Sequence, residues 1–172
     1  EGDGRVLDMG LSVEDGKRSF SRNGKKCSAA GVRGVLPSVL FCPDHLDMVK
    51  RGANVRRAAL DDFGAQLSAR YADLVSAYGR CVTQRNALLK EAWCCREMLG
   101  AWNESIARAG SALLVHRLAL LDRLASHVRD AYGQVASGET AHVSYVSTLG
   151  DLPQTDDREE LKGWAYEHML AA

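Results

Sequence analysis

Lys50, Arg51, Arg56 and Arg57 crowd around Gly52, and a helical pattern opens at Asn54. The free backbone amides of a helix start, joined by guanidinium groups, are what a phosphate needs. Arg80, Arg85, Lys90 and Arg96 continue the basic character farther along the chain. For both groups the plainer alternative is a solvated helix face with local ion pairs. Two roles therefore fit the first cluster, contact with a phosphate backbone or a lock between neighbouring elements.

Other chemistry finds little support. The chain has no G-x-x-x-x-G-K-[ST] phosphate loop, no G-x-G-x-x-G and no G-x-S-x-G elbow. His116 and His127, eleven positions apart on one helix, would stand about 16 Å apart and share no metal. Cys42 and His45 have ligand-like spacing, but no second pair completes a site. Asp156, Asp157, Glu159 and Glu160 suit the positive end of a helix dipole better than acid–base work. Cys27, Cys42, Cys81, Cys94 and Cys95 are odd in number and form no C-x-x-C pair, so reduced thiols are expected and a disulfide scaffold is not. No catalytic residue, cofactor or metal is assigned to this chain.

The elements that must position the basic residues are legible from periodicity. Leu7, Met9, Leu11 and Val13 alternate at period two. Glu14-Asp15-Gly16 signals a turn, Lys17 to Arg22 makes a second strand, and Asn23-Gly24 returns the chain through Lys25 to Ser28. Val39 to Cys42 is a short apolar run that reads as a buried strand. Pro43 then opens a short helix ending near Lys50, with Gly52 as its stop. From Asn54 to about Cys95 the pattern is helical, with a bend at Gly64 to Ser68. Leu67, Tyr71, Leu74, Tyr78, Cys81, Val82, Leu88 and Leu89 form its apolar stripe.

Gly100 and Asn103, flanked by Trp93 and Trp102, mark a connection. A second long helix follows on Ile106, Leu113, Leu114, Leu118, Leu121, Leu124, Val128 and Tyr132, fading at Gly133 to Gly138. Two such helices pack antiparallel, and part of a hairpin about 40 Å long projects as an arm. His142 to Leu149 reads as one more strand. Asp156 and Glu159 have capping-box spacing for a last helix through Ala172. The expected fold class is α+β: a short antiparallel β-meander, a long antiparallel helical hairpin, one further strand and a terminal helix.

With 172 residues, this is one ordinary domain or a small domain with an appendage. Lys plus Arg equals Asp plus Glu at 22 each, which excludes a cationic coat while leaving room for local basic patches. No apolar run approaches the length of a membrane span, so no membrane partner is expected. The chain opens on Glu1 rather than Met, which reads as a piece of something longer.

Three segments, in order, resemble the RecF family. Leu36-Pro37-Ser38-Val39-Leu40-Phe41-Cys42-Pro43-Asp44-His45-Leu46 followed by Arg56-Arg57-Ala58-Ala59-Leu60-Asp61 is similar to its apolar strand, Pro-acidic-x-Leu and R-R-x-x-L-D. Gln84-Arg85-Asn86-Ala87-Leu88-Leu89-Lys90 is similar to its K-Q-R-N-x-x-L stretch, with Thr83 where Lys is usual. Trp102-Asn103, Ile106 to Gly110 and Arg117 resemble the W-[DN]-x-x-[LI] opening of its next helix.

The resemblance implies an SMC-like ATPase of the ABC class, a cytoplasmic DNA replication and repair protein. Such a protein closes as an ATP-dependent homodimer, binds DNA, and acts with RecR and RecO at gaps. Its Walker A loop would lie upstream of this chain and its signature and Walker B motifs downstream. ATP and Mg would then belong to the parent protein, and this chain would not hydrolyse ATP alone. The implied division is 1–50 as the end of the first ATPase lobe, 51–140 as the helical arm, and 141–172 as a strand and helix returning toward the lobe. Phe41 to Leu46 stands roughly where the wider class has its Gln loop, and no Gln is there. Pro43, Asp44, Leu60, Asp61, Gln84 and Asn86 enter as motif positions. Arg51, Arg56, Arg57 and Arg85 are the residues for DNA-phosphate contact or for locking the arm. The reading from another class is a stand-alone helical hairpin that docks a protein partner.

Overall fold

The computed structural model describes residues 6–40, 42–91 and 96–172. The chain divides into two compact units, Glu1–Arg70 and Tyr71–Ala172.

The first unit opens on a three-stranded antiparallel sheet in the order β1 (Met9–Glu14), β2 (Lys17–Arg22), β3 (Lys25–Cys27). Two-residue loops set its register, with Glu14 opposite Lys17 and Arg22 opposite Lys25. Asp15 and Gly16 have φ of 49° and 73°, and Asn23 and Gly24 have 50° and 73°. Positive φ at both loop positions is the I′ geometry, whose twist matches that of the strands, and Asn or Asp followed by Gly accepts it at least cost. The alternating residues Met9, Leu11 and Val13 form one face of β1, and Leu11 and Val13 are exposed there. Ser28 then caps the short helix α1 (Ala29–Val32) by accepting from the Gly31 amide.

The strand expected over Val39 to Cys42 does not form among the described residues. Positions 39, 40 and 42 are irregular, Val39 and Leu40 are largely exposed, and Phe41 lies outside the described residues. A strand needs a ladder partner for its amides and carbonyls, and the described sheet ends at β1 and β3. What holds the segment instead is Gln66, whose Oε1 accepts from the Ser38 amide at 2.8 Å. Pro43–Leu46 is a 3₁₀ turn that runs directly into α2 (Asp47–Lys50). Gly52, expected to end that helix, is the N-cap of α3 (Ala53–Leu67), while Arg51 is the C-cap of α2.

The expected bend near Gly64 and Ser68 is present as Ser68, extended at φ −149°, between α3 and α4 (Ala69–Leu88). In the second unit α4 meets α5 (Arg96–Val135). Arg85 bonds Asn103, the ring of Tyr71 stands edge-on to that of His116 at 6.0 Å, and Tyr78 lies beside Gly110. As position rises along α4 its partner falls along α5, so the two helices are antiparallel, as the stripes predict. The connection is not at Gly100 and Asn103; both lie inside α5, a helix of 40 residues. One interior glycine costs a helix about 1 kcal/mol, a small sum against the face that α5 buries from Ala107 to Leu120. The reversal falls between Leu88 and Arg96. Trp93, Cys94 and Cys95 lie outside the described residues.

The core of this unit sits at mid-helix. Tyr71, Ala72, Ala107, Ser111, Leu113, Leu114, Val115, Leu120 and Ala165 are buried. Ala165 belongs to α6 (Arg158–Ala171), which packs on α5 where a methyl placed on Gly110 would meet Met169 Sδ at 2.8 Å. Lys162 lines the same groove as Glu104 and Arg108. So α6 lies beside the first half of α5, and the connection from Val135 must return over roughly 40 Å to reach it. That return draws out 142–149, which the alternation of Val143, Tyr145 and Leu149 marks as a strand. Among the described residues it has no ladder partner, and it is irregular. The cap of α6 is Asp157, not Asp156; its carboxylate accepts from the Glu159 and Glu160 amides. Thr155 donates to Glu160 at 2.5 Å across the same turn.

Candidate nucleic-acid interface

The joint between α2 and α3 collects the first basic cluster. Its backbone explains the geometry. The Arg51 amide closes α2 on Asp47 O, Gly52 turns the chain, and the Val55 amide bonds Gly52 O to start α3. Arg56, one turn into α3, reaches back so that its Nη1 donates to Arg51 O at 2.8 Å and Met48 O at 3.2 Å. The guanidinium thereby satisfies carbonyls that the end of α2 leaves without intrahelical partners, and it ties the two helices. Arg51 pairs with Asp47 at 2.8 Å and stays 67% exposed, so the pair adds little stability. Arg57 is half-buried and makes no hydrogen bond or ion pair to another described residue; Lys50 is exposed. The start of α3 has no side-chain cap and no acidic residue in its first turn. The groups free to face an anion there are the backbone amides, Arg57 and Lys50.

Of the motif positions, Pro43 is the first residue of the 3₁₀ turn and Asp44 the acidic residue of its first turn. Both are exposed. Leu60 is half-buried on α3 and Asp61 is buried at 7% exposure beside it. Arg85 lies in the second unit, where its Nε donates to Asn103 Oδ1 at 2.6 Å and links the two long helices. Gln84 and Asn86 flank it on the exposed side. The structure therefore brings Lys50, Arg51, Arg56 and Arg57 together in the first unit and places Arg85 in the second.

The sequence left Arg56 and Arg85 open between phosphate contact and a structural lock, and what it did not supply was their acceptors, two backbone carbonyls for the first and Asn103 for the second. Asn103, taken as a loop residue, was the signal for the second, since an Asn inside a long helix invites a partner across the hairpin.

Cys42 and His45 do meet, with Sγ at 3.8 Å from Nδ1. The His45 ring also accepts from the Cys42 amide, which makes the pair a cap on the 3₁₀ turn. Among the described residues no group of three or more His, Cys, Asp or Glu is placed to hold a metal. No helix of the described residues is long and apolar enough to cross a membrane. An open groove of about 570 Å³ runs beside α5, lined by Leu74, Ala101, Ser105 and Lys162 among others. Of its charges, Arg108 pairs with Glu104 at 2.5 Å within the groove, and Lys162 pairs with Glu159 on α6 at 3.1 Å.

No family model matches the chain. Curated relatives do. A DNA replication and repair protein RecF of Arthrobacter sp. (strain FB24) is 32% identical over 96% of this chain and 43% of its own length. One from Paenarthrobacter aurescens (strain TC1) is 33% identical over 88% and 40%. One from Syntrophotalea carbinolica is 33% identical over 93% and 44%. Among solved structures, the recombination mediator protein RecF-ATPrS in the RecFOR pathway superimposes with a TM-score of 0.76 at 22% identity. It covers 94% of this chain and 44% of that one, and it supports the fold. The chain spans about two fifths of the length of the curated relatives it matches. The meander and the long helical hairpin thus stand in a chain that is similar, along nearly its whole length, to proteins named for DNA replication and repair. These relatives and the solved neighbour are all RecF proteins, and the homology supports a RecF-family relationship along nearly the whole of this chain.

Proposed function

We propose that this chain is the arm-bearing middle of a cytoplasmic RecF-type ATPase, which binds DNA in an ATP-dependent manner as a homodimer and works with RecO and RecR at gaps. The observation that carries the reading is collinearity. Three short motifs stand in family order, and the likeness to RecF relatives runs along 96% of the chain. ATP and Mg are assigned to the parent protein, because the chain has no phosphate loop. The chain alone should therefore not turn over ATP. The division proposed for the parent is 1–50 with the first lobe, 51–140 as arm, and 141–172 returning toward the lobe.

Within this reading Arg56 is the lock of the α2–α3 joint, as its two backbone acceptors support. Arg57 and Lys50, with Arg51 beside them, are the residues offered to DNA phosphates. Arg85 is assigned to holding the arm together through Asn103. The test is duplex binding by the full-length protein, followed by fluorescence anisotropy with and without ATP and Mg across a salt series. Binding that strengthens with ATP is expected. Arg57→Ala should lower the salt slope by about 1 while leaving the melting temperature in place. A full-length protein that binds no DNA with ATP present would overturn the reading. An unchanged affinity and slope in Arg56→Ala plus Arg57→Ala would remove the joint from the interface.

A further inference from the structure

Between Asp15 and Asp44 the chain has no Asp or Glu and six Lys and Arg, in a protein whose charges otherwise balance. Five of the six, Lys17, Arg18, Arg22, Lys25 and Lys26, lie on the β2–β3 hairpin. All five are exposed. Register settles how they are arranged. Lys17 has Glu14 opposite it on β1, and no other acid faces the hairpin's cations across the ladder. Arg22 stands directly opposite Lys25, about 5 Å away between backbones. Arg18 lies four positions up the same face, about 13 Å along β2. Like charges facing each other weaken a ladder. The I′ turn at Asn23-Gly24 fixes that register regardless, so the fold holds a like-charge pair at its tip. None of Arg18, Arg22, Lys25 and Lys26 makes an ion pair with another described residue.

The geometry points to the β2–β3 hairpin as a contact for the sugar–phosphate backbone of duplex DNA, through Arg18, Arg22 and Lys25 on one face and Lys26, paired with Ser21, at the edge of the other. Unpaired cations repeated along a rigid strand fit a row of phosphates, and their contacts carry no sequence preference. Duplex is favoured over single strand because proteins of the latter kind stack bases on aromatic side chains. The hairpin's single aromatic, Phe20, is half-buried opposite Cys27 rather than presented. This surface is separate from the α2–α3 joint, and it rests on the reading that the full-length protein engages DNA.

The experiment compares the full-length protein with its Arg18→Gln, Arg22→Gln, Lys25→Gln, Lys26→Gln variant, binding a labelled short duplex over a range of salt. The expected result is a log–log salt slope shallower by about 2 to 4, with affinity at low salt reduced about tenfold or more. Arg18→Lys with Arg22→Lys should keep the wild-type slope. Lys25→Gln with Lys26→Gln alone, beside the turn and away from the β1–β2 ladder, should lose about half the effect and guards against misfolding of the quadruple variant. Unchanged slope and affinity in the variants, with wild type binding, overturns the hairpin and leaves an acidic protein surface as its partner; the function proposed above then stands. A slope change confined to single-stranded DNA overturns the duplex assignment. Wild type that binds no DNA overturns both.

Discussion

Two arginines of similar standing in the sequence have different duties once their acceptors are known. Arg56 ends on backbone carbonyls and Arg85 on an amide oxygen. Arg85 is part-buried, so losing its partner strands a donor where water reaches poorly. Arg85→Ala and Asn103→Ala should each lower stability by about 1 kcal/mol, and a double-mutant cycle by urea unfolding should show the two losses overlapping. Strictly additive losses would mean that the bond contributes nothing. Tyr132 gives a pH-dependent counterpart. Its hydroxyl donates to Glu139 at 2.7 Å, and that bond, with some loss of hydration, raises the phenol above its usual 10.0. A raised value means that the contribution is complete below the unfolded phenol's pKa and is lost as pH climbs through the folded value. In a phenolate absorbance titration Tyr132→Phe should remove a tyrosine that ionises above 10.0. An unchanged profile would mean that the bond is not held in solution.

At the scale of elements, packing decides what a glycine is for. Gly110 is buried where α4, α5 and α6 converge, and a methyl there would meet Met169 Sδ at 2.8 Å and Tyr78 Cε2 at 3.0 Å. Gly100, on the same helix, has nothing within 4 Å of that position. Gly100→Ala should therefore stabilise the chain by about 0.5 to 1 kcal/mol through helix propensity alone. Gly110→Ala should destabilise by about 1 kcal/mol, because overpacking exceeds the propensity gain. Adding Met169→Ala to Gly110→Ala should recover part of that loss. Equal gains at both glycines would mean that the three helices are not packed this closely.

The same contrast explains what was legible in the sequence. The meander could be read because Asn23-Gly24 and Asp15-Gly16 dictate their own backbone. The helices could be read because steps of three and four recur on Tyr71, Leu74 and Tyr78. Gly100 misled, since a helix with one face packed tolerates it. Val39 to Leu40 and 142–149 misled for another reason: alternation or apolarity marks residues able to pair, and a strand exists only where a neighbour supplies the other half of the ladder. The candidate site was legible in composition, as a basic cluster, while the two acceptors of Arg56 depend on carbonyl positions that no residue type encodes.

For the whole molecule, the zero net charge conceals a division. The unit Glu1–Arg70 has twelve Lys and Arg against nine Asp and Glu, and Tyr71–Ala172 has ten against thirteen. Charges farther apart than about 10 Å are screened from each other at ordinary salt, so a phosphate backbone responds to the local excess and not to the total. The hairpin and the α2–α3 joint both belong to the cationic unit. In the second unit Lys162 is paired with Glu159, and Arg108 with Glu104. DNA contact should accordingly map to the first unit. Acetylation of lysine amines in the full-length protein, read by mass spectrometry with and without duplex, separates the two directly. Lys17, Lys25, Lys26 and Lys50 should become protected, while Lys90 and Lys162 should react at the same rate in both conditions. Protection of Lys90 and Lys162 alone would move the interface onto the helical hairpin, and the cations of the meander and joint would then be a solvated surface.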